Sequence, residues 1–454
     1  MKSKGWFGAV AIAVVVVGVS CLFFAQEFTG SRREAAVARI HELADTHHIA
    51  PARTSLFPAA DAETLVPNAG GNADARALFI RLAGMEKALR ESNRKGFEAW
   101  RHVAMSGQAA TAEELSNNES YLSQADELIR ETRRLSEMAG PYFDLDYSKN
   151  LAMDRSALFT LQSLIVLLDG DARVKSRKAV ILEPFEDLAA LMRLTNGIPR
   201  DPYAITDGFR RGNYRLVLGV AQEVVTATSV SADQLKLLEA LVPRDPEREL
   251  FTRALIGQAS LTVRFFDDIR ENGFPETGNP RNTGEIAGRA AFWLYFSPLA
   301  ASLSNQDEEY YAGTMARIIE AATLPYYEAK LQLEALDREH ASAPRWRVIS
   351  RPEIGMPSET LAEQANYEAC LDILRMGLCL QGYHQQHGEY PESVDAIAVN
   401  MGGHVPVDSF SGQSYIYVRS GDSFLLYSVG KNGVDNGGKA GGPKDDDVVW
   451  RGKA

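Results

Sequence analysis

The residue types best suited to chemistry are concentrated near the C-terminus of this chain. A loop of small and oxygen-bearing residues runs from 430 to 438, and three consecutive carboxylates, Asp445, Asp446 and Asp447, follow it. Carboxylate, amide and backbone carbonyl oxygens suit calcium, because Ca²⁺ is a hard cation that takes roughly six to eight oxygen ligands. The pattern therefore predicts a cation-binding loop. The alternative is an acidic loop that is exposed to solvent and holds no ion.

Three other groups of candidate ligands or catalytic side chains have structural explanations that we prefer. His384 and His387 are spaced to lie on one side of a helix, but a zinc site usually needs three protein ligands and no third is evident. Asp144 and Asp146 could form an acid–base pair, yet a turn before the next helix explains them better. The glycine-rich segment 437–444 lacks the Gly-Lys-Ser/Thr ending of a phosphate-binding loop. No catalytic residue is assigned, and the sequence predicts a protein that is not an enzyme.

The elements that must position the loop are indicated by the residues on either side of it. Residues 415–418 and 424–428 are typical of two short strands, and the small and polar residues 420–422 predict a turn between them. Residues 448–450 indicate a further strand after the carboxylates. A helix predicted to start at Thr360 is apolar nearly all round, so other elements must cover it, and we expect the hairpin to do so.

Taken in order, these pieces resemble the periplasmic domain of the major pseudopilin of type II secretion systems. The similarity lies in the exit of the helix, a turn, two strands, a metal loop and a terminal tryptophan. The matching segments are 382–391, 405–412, 415–417, 424–430, Asn432-Gly433, Asp447-Val448 and Trp450. The resemblance covers residues 358–454, about a fifth of the chain. It implies an α+β module made of a long helix and a small antiparallel sheet.

The resemblance also implies which residues of this chain hold the calcium ion. Asn432 and Asp447 stand at the positions of two ligands of the family's loop. Nearby oxygen-bearing residues could make up the charge, with backbone carbonyls in the remaining positions: Asp435, Asn436, Asp445 and Asp446. Because Asn432 offers a neutral amide oxygen, the site should be weaker than one built from carboxylates alone. The predicted metal ligands are therefore Asn432, Asp435, Asp446 and Asp447.

Two departures from the family limit what the resemblance implies. A prepilin carries a Glu five residues after its processing site, and the corresponding residue here is Val10. The family also joins its membrane helix directly to the module, whereas more than three hundred residues intervene in this chain. Polymerisation into a pilus is therefore not expected. The chain resembles instead large envelope proteins of planctomycete-type bacteria, to which a similar C-terminal module is appended.

The N-terminus predicts a membrane anchor. Residues 6–24 form an uncharged, largely apolar run, close to the roughly 20 residues that a helix needs to cross a bilayer. The run is longer than the apolar part of a typical cleaved signal peptide, and Lys2 and Lys4 favour a cytoplasmic N-terminus. We expect a single-pass protein of a bacterial inner membrane, with residues 1–5 in the cytoplasm, 6–24 in the lipid bilayer and the bulk of the chain in the periplasm.

The rest of the chain divides into a tether, a helical domain and a linker. Residues 25–72 contain Pro and Gly at intervals, which indicates a tether. Residues 73–340 show helical periodicity and predict a helical bundle or short solenoid. Residues 341–357 contain three prolines and predict a linker before the module 358–454. The expected fold class is therefore mainly α, with an α+β module at the C-terminus.

These features favour a structural or interaction protein of the cell envelope. The net charge of −12 and the lack of a basic stripe argue against binding to nucleic acid. The C-terminal module is expected to bind a partner protein or assembly, including one related to type II secretion. The alternative is an extracytoplasmic enzyme or ligand-binding protein with its site in the helical domain. Such a protein should have a deep pocket with convergent titratable groups, whereas a scaffold should have a filled core.

Overall fold

The computed structural model describes most of the chain. It describes residues 4–47, 49, 72–105, 112–143, 145, 154–178, 180, 182–227, 230–244, 248–272, 294–297, 300–442 and 445–453. The side chains of residues 4–24, 103–105, 112, 114–115 and 440–446 lie outside the described set.

The described residues are mainly helical, and a small three-stranded antiparallel sheet lies near the C-terminus, which confirms the coarse prediction of fold class. In chain order the helices are α1 (Lys4–Thr46), α2 (Ala73–Ser92), α3 (Arg94–Met105), α4 (Ala112–Gln124), α5 (Asp126–Ser136), α6 (Ser156–Arg177), α7 (Glu183–Asn196), α8 (Ala204–Ala227), α9 (Ala232–Leu241), α10 (Arg248–Asn272), α11 (Ala301–Ala322), α12 (Tyr326–Ser342), α13 (Ser350–Ile354) and α14 (Pro357–His387). A 3₁₀ turn follows at Val394–Ile397. The strands are β1 (Ile416–Ser420), β2 (Ser423–Ser428), β3 (Ala440–Gly442), β4 (Asp445–Asp446) and β5 (Val448–Lys453).

The centre of the helical region is built from α6, α7, α8 and α10, which contribute to one hydrophobic core. The apolar run 164–168 of α6 is buried throughout, because neighbouring helices cover it on several sides. α10 approaches the segment before α8 so closely that Gly257 lies against the carbonyl of Pro202. α9 begins at a capping box, in which the Ser231 side chain accepts from the backbone N of Gln234 and the Gln234 side chain accepts from the backbone N of Ser231.

Helix α14 connects the helical region to the sheet. It packs against α8, α9 and α12 on the helical side and against β2 and β5 on the other. The helix begins at Pro357, with Met356 as its N-cap residue, so the predicted start at Thr360 was wrong. Pro357 suits the first turn because that position needs no backbone N–H donor. The helix ends at Gly388, whose φ of 75° is typical of a residue that terminates a helix.

Three antiparallel strands in the order β1–β2–β5 form the sheet. β1 and β2 make the predicted hairpin and are joined by a turn at residues 421–422. β5 pairs with the other edge of β2 and places Trp450 opposite Leu426. Trp450 is completely buried, and its ring lies against Gly377 of α14, where a larger side chain would displace it. The sheet is therefore a cover for α14, as its apolar surface requires.

The structure differs from the predicted division of the chain at the linker 341–357. Residues Ser350–Ile354 form α13, and Ile349 just before it is buried in the hydrophobic core. Its backbone N donates to the carboxylate of Asp307 in α11 at 3.1 Å. The segment 358–454 is consequently joined to the helical region by packed structure, and residues of both contribute to one core.

The structure also differs from the predicted tether 25–72 in its first part. Helix α1 continues to Thr46 and packs along α10 and α11, with Ile40 fully buried. Residues 50–71 lie outside the described residues. Among the described residues, none forms a helix that is both long enough and apolar enough to span a bilayer. Because the side chains of 6–24 are outside that set, the transmembrane helix stays a prediction.

Candidate functional site

The predicted metal loop follows β2 and is shaped by hydrogen bonds to Asp435. Oδ1 of this residue accepts from the Tyr427 hydroxyl at 2.8 Å and from the backbone N of Gly437 at 2.8 Å. The first bond ties the middle of the loop to the end of the strand, and the second forms a tight turn of the Asx type. Gly433 and Gly437 have φ values of 69° and 70°, which residues with side chains rarely adopt. The glycines of the loop are therefore required by its backbone path.

Asp447 closes the far end of the loop. The residue is only 3% exposed, and its Oδ2 accepts from the backbone N of Gly438 at 2.9 Å. Its own backbone N donates to the carbonyl of Lys439 at 3.2 Å. The Arg451 guanidinium donates to the carbonyl of Gly438 from the neighbouring strand β5. Asp447 thus bonds the end of the loop to the start of the terminal strand.

Asn432 stabilises the first half of the loop. Its Oδ1 accepts from the backbone N of Val434 at 2.6 Å, and its Nδ2 donates to Oδ1 of Asn436 at 3.0 Å. The loop therefore folds back on itself around two side-chain amides, which bear oxygens of the kind that calcium accepts.

The electrostatics indicate that two of the predicted ligands lie near one strand end. Burial, the hydrogen bond to Asp435 and the charges of Asp435 and Asp447 together raise the pKa of Tyr427 to about 12. The backbone N of Gly437 and the hydroxyl of Tyr427 hold the pKa of Asp435 below its usual value, so this carboxylate is ionised at neutral pH. The fourth predicted ligand, Asp446, belongs to β4, and its side chain lies outside the described residues.

The donors in the loop suit a hard cation. Within the described part of the chain, no three or more His, Cys, Asp or Glu side chains are grouped so that they could hold a metal ion. Calcium sites also use amide and backbone carbonyl oxygens, which such a grouping does not include. Asn432, Asp435 and Asp447 supply carboxylate and amide oxygens in one hydrogen-bonded loop. The calcium site remains a prediction.

The other groups weighed from the sequence do not form a second site among the described residues. The His384 ring lies 4.5 Å from that of Tyr390, and the His387 ring lies 4.1 Å from that of Tyr383. Both ring pairs are tilted, and the contact between His384 and Tyr390 agrees with a helix end packed against the segment that follows it. The pair of Asp residues at 144 and 146 lies outside the described residues.

Sequence reasoning missed Asp408, which fixes the base of the loop. The residue is buried, and its Oδ1 accepts from the Ser428 hydroxyl at 2.7 Å and from the backbone N of Phe410 at 3.0 Å. Its Oδ2 accepts from the backbone N of Val429 at 3.2 Å. The segment 405–412 was recognisable as a turn, but the bond to Ser428 is a tertiary contact with no local signal.

The contact between α14 and the helical region contains an ion pair with a buried carboxylate, which the sequence did not indicate. Arg248, at the start of α10, donates from Nε and Nη2 to the carboxylate of Glu368 at 2.8 to 3.1 Å. Glu368 is 4% exposed and also accepts from Nε2 of Gln364 at 3.1 Å. Because the carboxylate is removed from water, the guanidinium that faces it offsets part of the cost of burying it.

A small cleft, with a cavity volume of about 10 Å³, lies beside this ion pair. Arg248, Gln364 and Glu368 form its polar part. The remaining lining is aliphatic and aromatic and consists of Phe251, Ala322, Leu324, Tyr326, Leu361 and Ala365. Its volume is smaller than the roughly 300–1,000 Å³ of typical ligand sites. Because Arg248 and Glu368 bond each other, the surface of the cleft that a ligand could contact is mainly apolar.

The helical region buries carboxylates beside cationic side chains. Asp187 accepts from Nε of Arg133 at 2.6 Å, and Nη2 of the same guanidinium lies 3.4 Å from Asp171. Asp169 accepts from Arg173 at 3.0 Å. Burial raises the pKa of Asp169 to about 6, because Arg173 offsets only part of the desolvation. Structural ion-pair networks perturb pKa values in this way, as active sites do.

Asp372 of α14 should make the stability of the fold depend on pH. Its carboxylate accepts from the Tyr415 hydroxyl at 2.9 Å. Burial raises the pKa of Asp372 to about 7, and the hydrogen bond from Tyr415 and the charge of Arg375 only partly oppose this. Between about pH 4 and pH 7 the folded chain therefore holds a proton that the unfolded chain has released. The stabilisation from this proton is complete below pH 4 and is lost as the pH rises toward 7.

Replacing Asp372 by Asn should remove that pH dependence. We expect the unfolding free energy of the wild type, measured in urea relative to D372N, to fall by about 2–3 kcal/mol between pH 5 and pH 8. The exposed Asp422 supplies a control, because D422N should leave the pH profile of the wild type unchanged. If the difference in unfolding free energy between the wild type and D372N were equal at pH 5 and pH 8, the raised pKa assigned to Asp372 would be contradicted.

Comparison of the chain with protein-family models, with curated proteins and with solved structures found no match. The resemblance of residues 358–454 to a pseudopilin domain therefore rests on the residues and the order of elements given above.

Proposed function

We propose that this chain is a structural or interaction protein of the bacterial inner membrane, anchored by residues 6–24, with the bulk of the chain in the periplasm. In this proposal the pseudopilin-like module 358–454 presents its loop end to a partner protein or assembly, including one related to type II secretion. The observation that carries the proposal is the position of α14, which packs on the helical region and on the sheet together. The module is then a rigid extension of the helical body.

Contacts along the length of α14 support this rigid connection. Glu368 near its middle is paired across the interface, as described above. The Arg375 guanidinium donates to the carbonyl of Pro243, and Nε2 of Gln385 donates to the carbonyl of Val230 at 2.6 Å. Bonds at several levels of one helix resist rotation of the sheet relative to the helical region, so the loop keeps a constant orientation.

We further propose that the loop binds calcium. Asn432, Asp435 and Asp447 would hold the ion, and Asp446 is the remaining candidate ligand. When bound, calcium would supply positive charge that offsets the repulsion between the carboxylates. The chain itself holds Asp435 at the strand end through the Tyr427 hydroxyl, so that part of the site is organised in advance.

Calcium should raise the melting temperature of the intact chain in detergent, and Asp447→Ala should abolish the rise. The reason is that Asp447 is both a predicted ligand and the residue that closes the loop. Differential scanning calorimetry in millimolar calcium and in chelator measures the shift for each variant. Asp422→Ala, which removes an exposed carboxylate from the opposite end of the hairpin, should keep the full shift. A wild type whose melting temperature is the same in both solutions would remove calcium from the proposal.

The alternative function is an extracytoplasmic enzyme or ligand-binding protein with its site in the helical region. Asp201 is the observation in its favour, because burial raises its pKa to about 8 and Arg210 opposes this only in part. A carboxylic acid that is protonated at neutral pH is typical of general acids. Asp201 also accepts hydrogen bonds from the backbone of Tyr203 and from the side chain of Thr206, so it holds the segment that leads into the first turn of α8. This structural role is the reason we prefer the first proposal.

A further inference from the structure

Helix α1 is held against α11 along the stretch that follows the predicted membrane span. Nδ2 of Asn305 lies 3.5 Å from the Thr29 hydroxyl, which fixes the level at which the two helices meet. Further along, Arg32 pairs with Glu309 at 2.6 Å. Still further along, Arg39 pairs with Glu320 at 2.8 Å. Because the partners advance in the same direction on both helices, α1 and α11 run parallel.

Buried groups reinforce this attachment. Glu308 of α11 is 1% exposed, is bonded by Arg270 of α10 and lies 3.9 Å from Arg33 of α1. Ile40 of α1 is fully buried in the hydrophobic core. The segment of α1 from about residue 29 onward is therefore packed along the helical region. Because α1 is one continuous helix, it sets the orientation of the helical region relative to the predicted membrane span.

The packing of α1 on α11 places the first turn of α11 close to the end of the predicted span. An α-helix rises about 1.5 Å per residue, so Phe28 lies roughly 6 Å beyond residue 24. Leu303 precedes Asn305 by two residues on a parallel helix, which puts it about 3 Å nearer the span than Thr29. Phe28 and Leu303 are therefore nearly level with each other.

Both side chains are apolar and face solvent in the isolated chain. Phe28 is 65% exposed and Leu303 is 40% exposed. The headgroup layer extends about 5–7 Å beyond the hydrocarbon on each side of a bilayer, which matches their level. Phe and Leu are among the side chains that helices lying on a membrane surface bury at the boundary between headgroups and acyl chains, because removing their apolar area from water stabilises the contact.

We propose that Phe28 and the first turn of α11, with Leu303, lie in the headgroup layer of the bilayer, so that the helical region rests on the membrane surface. This inference rests on the proposed anchoring by residues 6–24. Glu27 next to Phe28 is exposed and Arg32 is paired with Glu309. The contact is therefore made through apolar side chains and needs no anionic lipid.

Spin labels on single cysteines test the contact in the intact chain, reconstituted into phosphatidylcholine vesicles with Cys21 replaced by Ser. Labels at Phe28→Cys and Leu303→Cys should show a severalfold higher ratio of oxygen to aqueous nickel-complex accessibility than a label at Leu331→Cys. Leu331 on α12 is 79% exposed and is the matched control. The native Cys370 and Cys379 are buried, which limits their labelling.

Three results separate this inference from the proposed function. Retention of the chain in vesicles at alkaline pH, with lipid-exposed labels at 28 and 303, supports both. Retention with a label at 303 that is as accessible to the nickel complex as the label at 331 overturns the surface contact and leaves the anchor standing. Release of the chain from the vesicles at alkaline pH overturns the anchor, and the contact with it.

Discussion

Replacing Arg248 by methionine is expected to lower the unfolding free energy of the intact chain by about 3 kcal/mol or more. The carboxylate of Glu368 is desolvated and accepts two of its hydrogen bonds from Nη2 of Arg248. Methionine conserves much of the apolar stem but leaves this charge buried without its partner, which is far more costly than losing an exposed ion pair. Urea unfolding followed by circular dichroism measures the change.

A matched control is available on the surface of α3. Arg94 pairs with Glu98 at 3.0 Å, and both side chains are exposed. Arg94→Met should therefore change the unfolding free energy by less than about 0.5 kcal/mol. The double variant R248M/E368M should recover much of the loss, because an apolar pair of similar volume leaves no buried charge. If R248M proved as mild as R94M, the ion pair would not join α14 to the helical region.

Replacing Gly257 by Ala is the second substitution with a large expected effect. A Cβ at this position of α10 would overlap the carbonyl oxygen of Pro202, which belongs to the backbone and cannot rotate away. α10 must then move off the segment that leads into α8, so we expect a loss of about 2 kcal/mol or more. This loss exceeds the gain of about 1 kcal/mol that Ala brings to a helix interior.

Gly313 in α11 is the matched control for that substitution. It is also a helical glycine, but a Cβ there would meet no atom within 4 Å. Gly313→Ala should therefore stabilise the chain by up to about 1 kcal/mol through helix propensity alone. Thermal and urea unfolding of both variants measure the two changes in stability, which should have opposite signs. Equal effects of G257A and G313A would show that α10 and the segment before α8 do not meet as described.

The local elements of the C-terminal region were predictable because their signals are local. The small and polar residues at 420–422 indicate a turn between two short apolar segments, and β1 and β2 form on either side of it. The apolar surface of the helix from Pro357 required a cover, and the sheet provides it through Trp450. Periodicity likewise identifies the helical region as helical.

The prolines explain why the boundary at 341–357 was misjudged. Proline interrupts regular structure, so a cluster of prolines indicates a linker. It is equally suited to the first turn of a helix, where its missing N–H has no partner to lose. Pro352 lies in the first turn of α13, and Pro357 is the first residue of α14. The sequence alone does not distinguish these two uses.

The interface of α14 could not be predicted because its partners are distant in the chain. Arg248 and Glu368 are 120 residues apart, and nothing in the pattern around either residue indicates the other. In the candidate site, the turn at Asp435 follows from local Asp and Gly residues, but the bond of Asp408 to Ser428 joins segments 20 residues apart. Local propensity therefore gives the pieces, whereas packing decides which of them share a core.

Hydrogen–deuterium exchange of the intact chain tests most directly whether the C-terminal module and the helical region are one unit. If they share a core, the slowest amides of β2 and β5 should open with the same free energy as those of α7 and α8. The contradicting result is exchange of the β2 and β5 amides at a clearly lower free energy, with α7 and α8 still protected. The module would then unfold on its own, as a separate domain does.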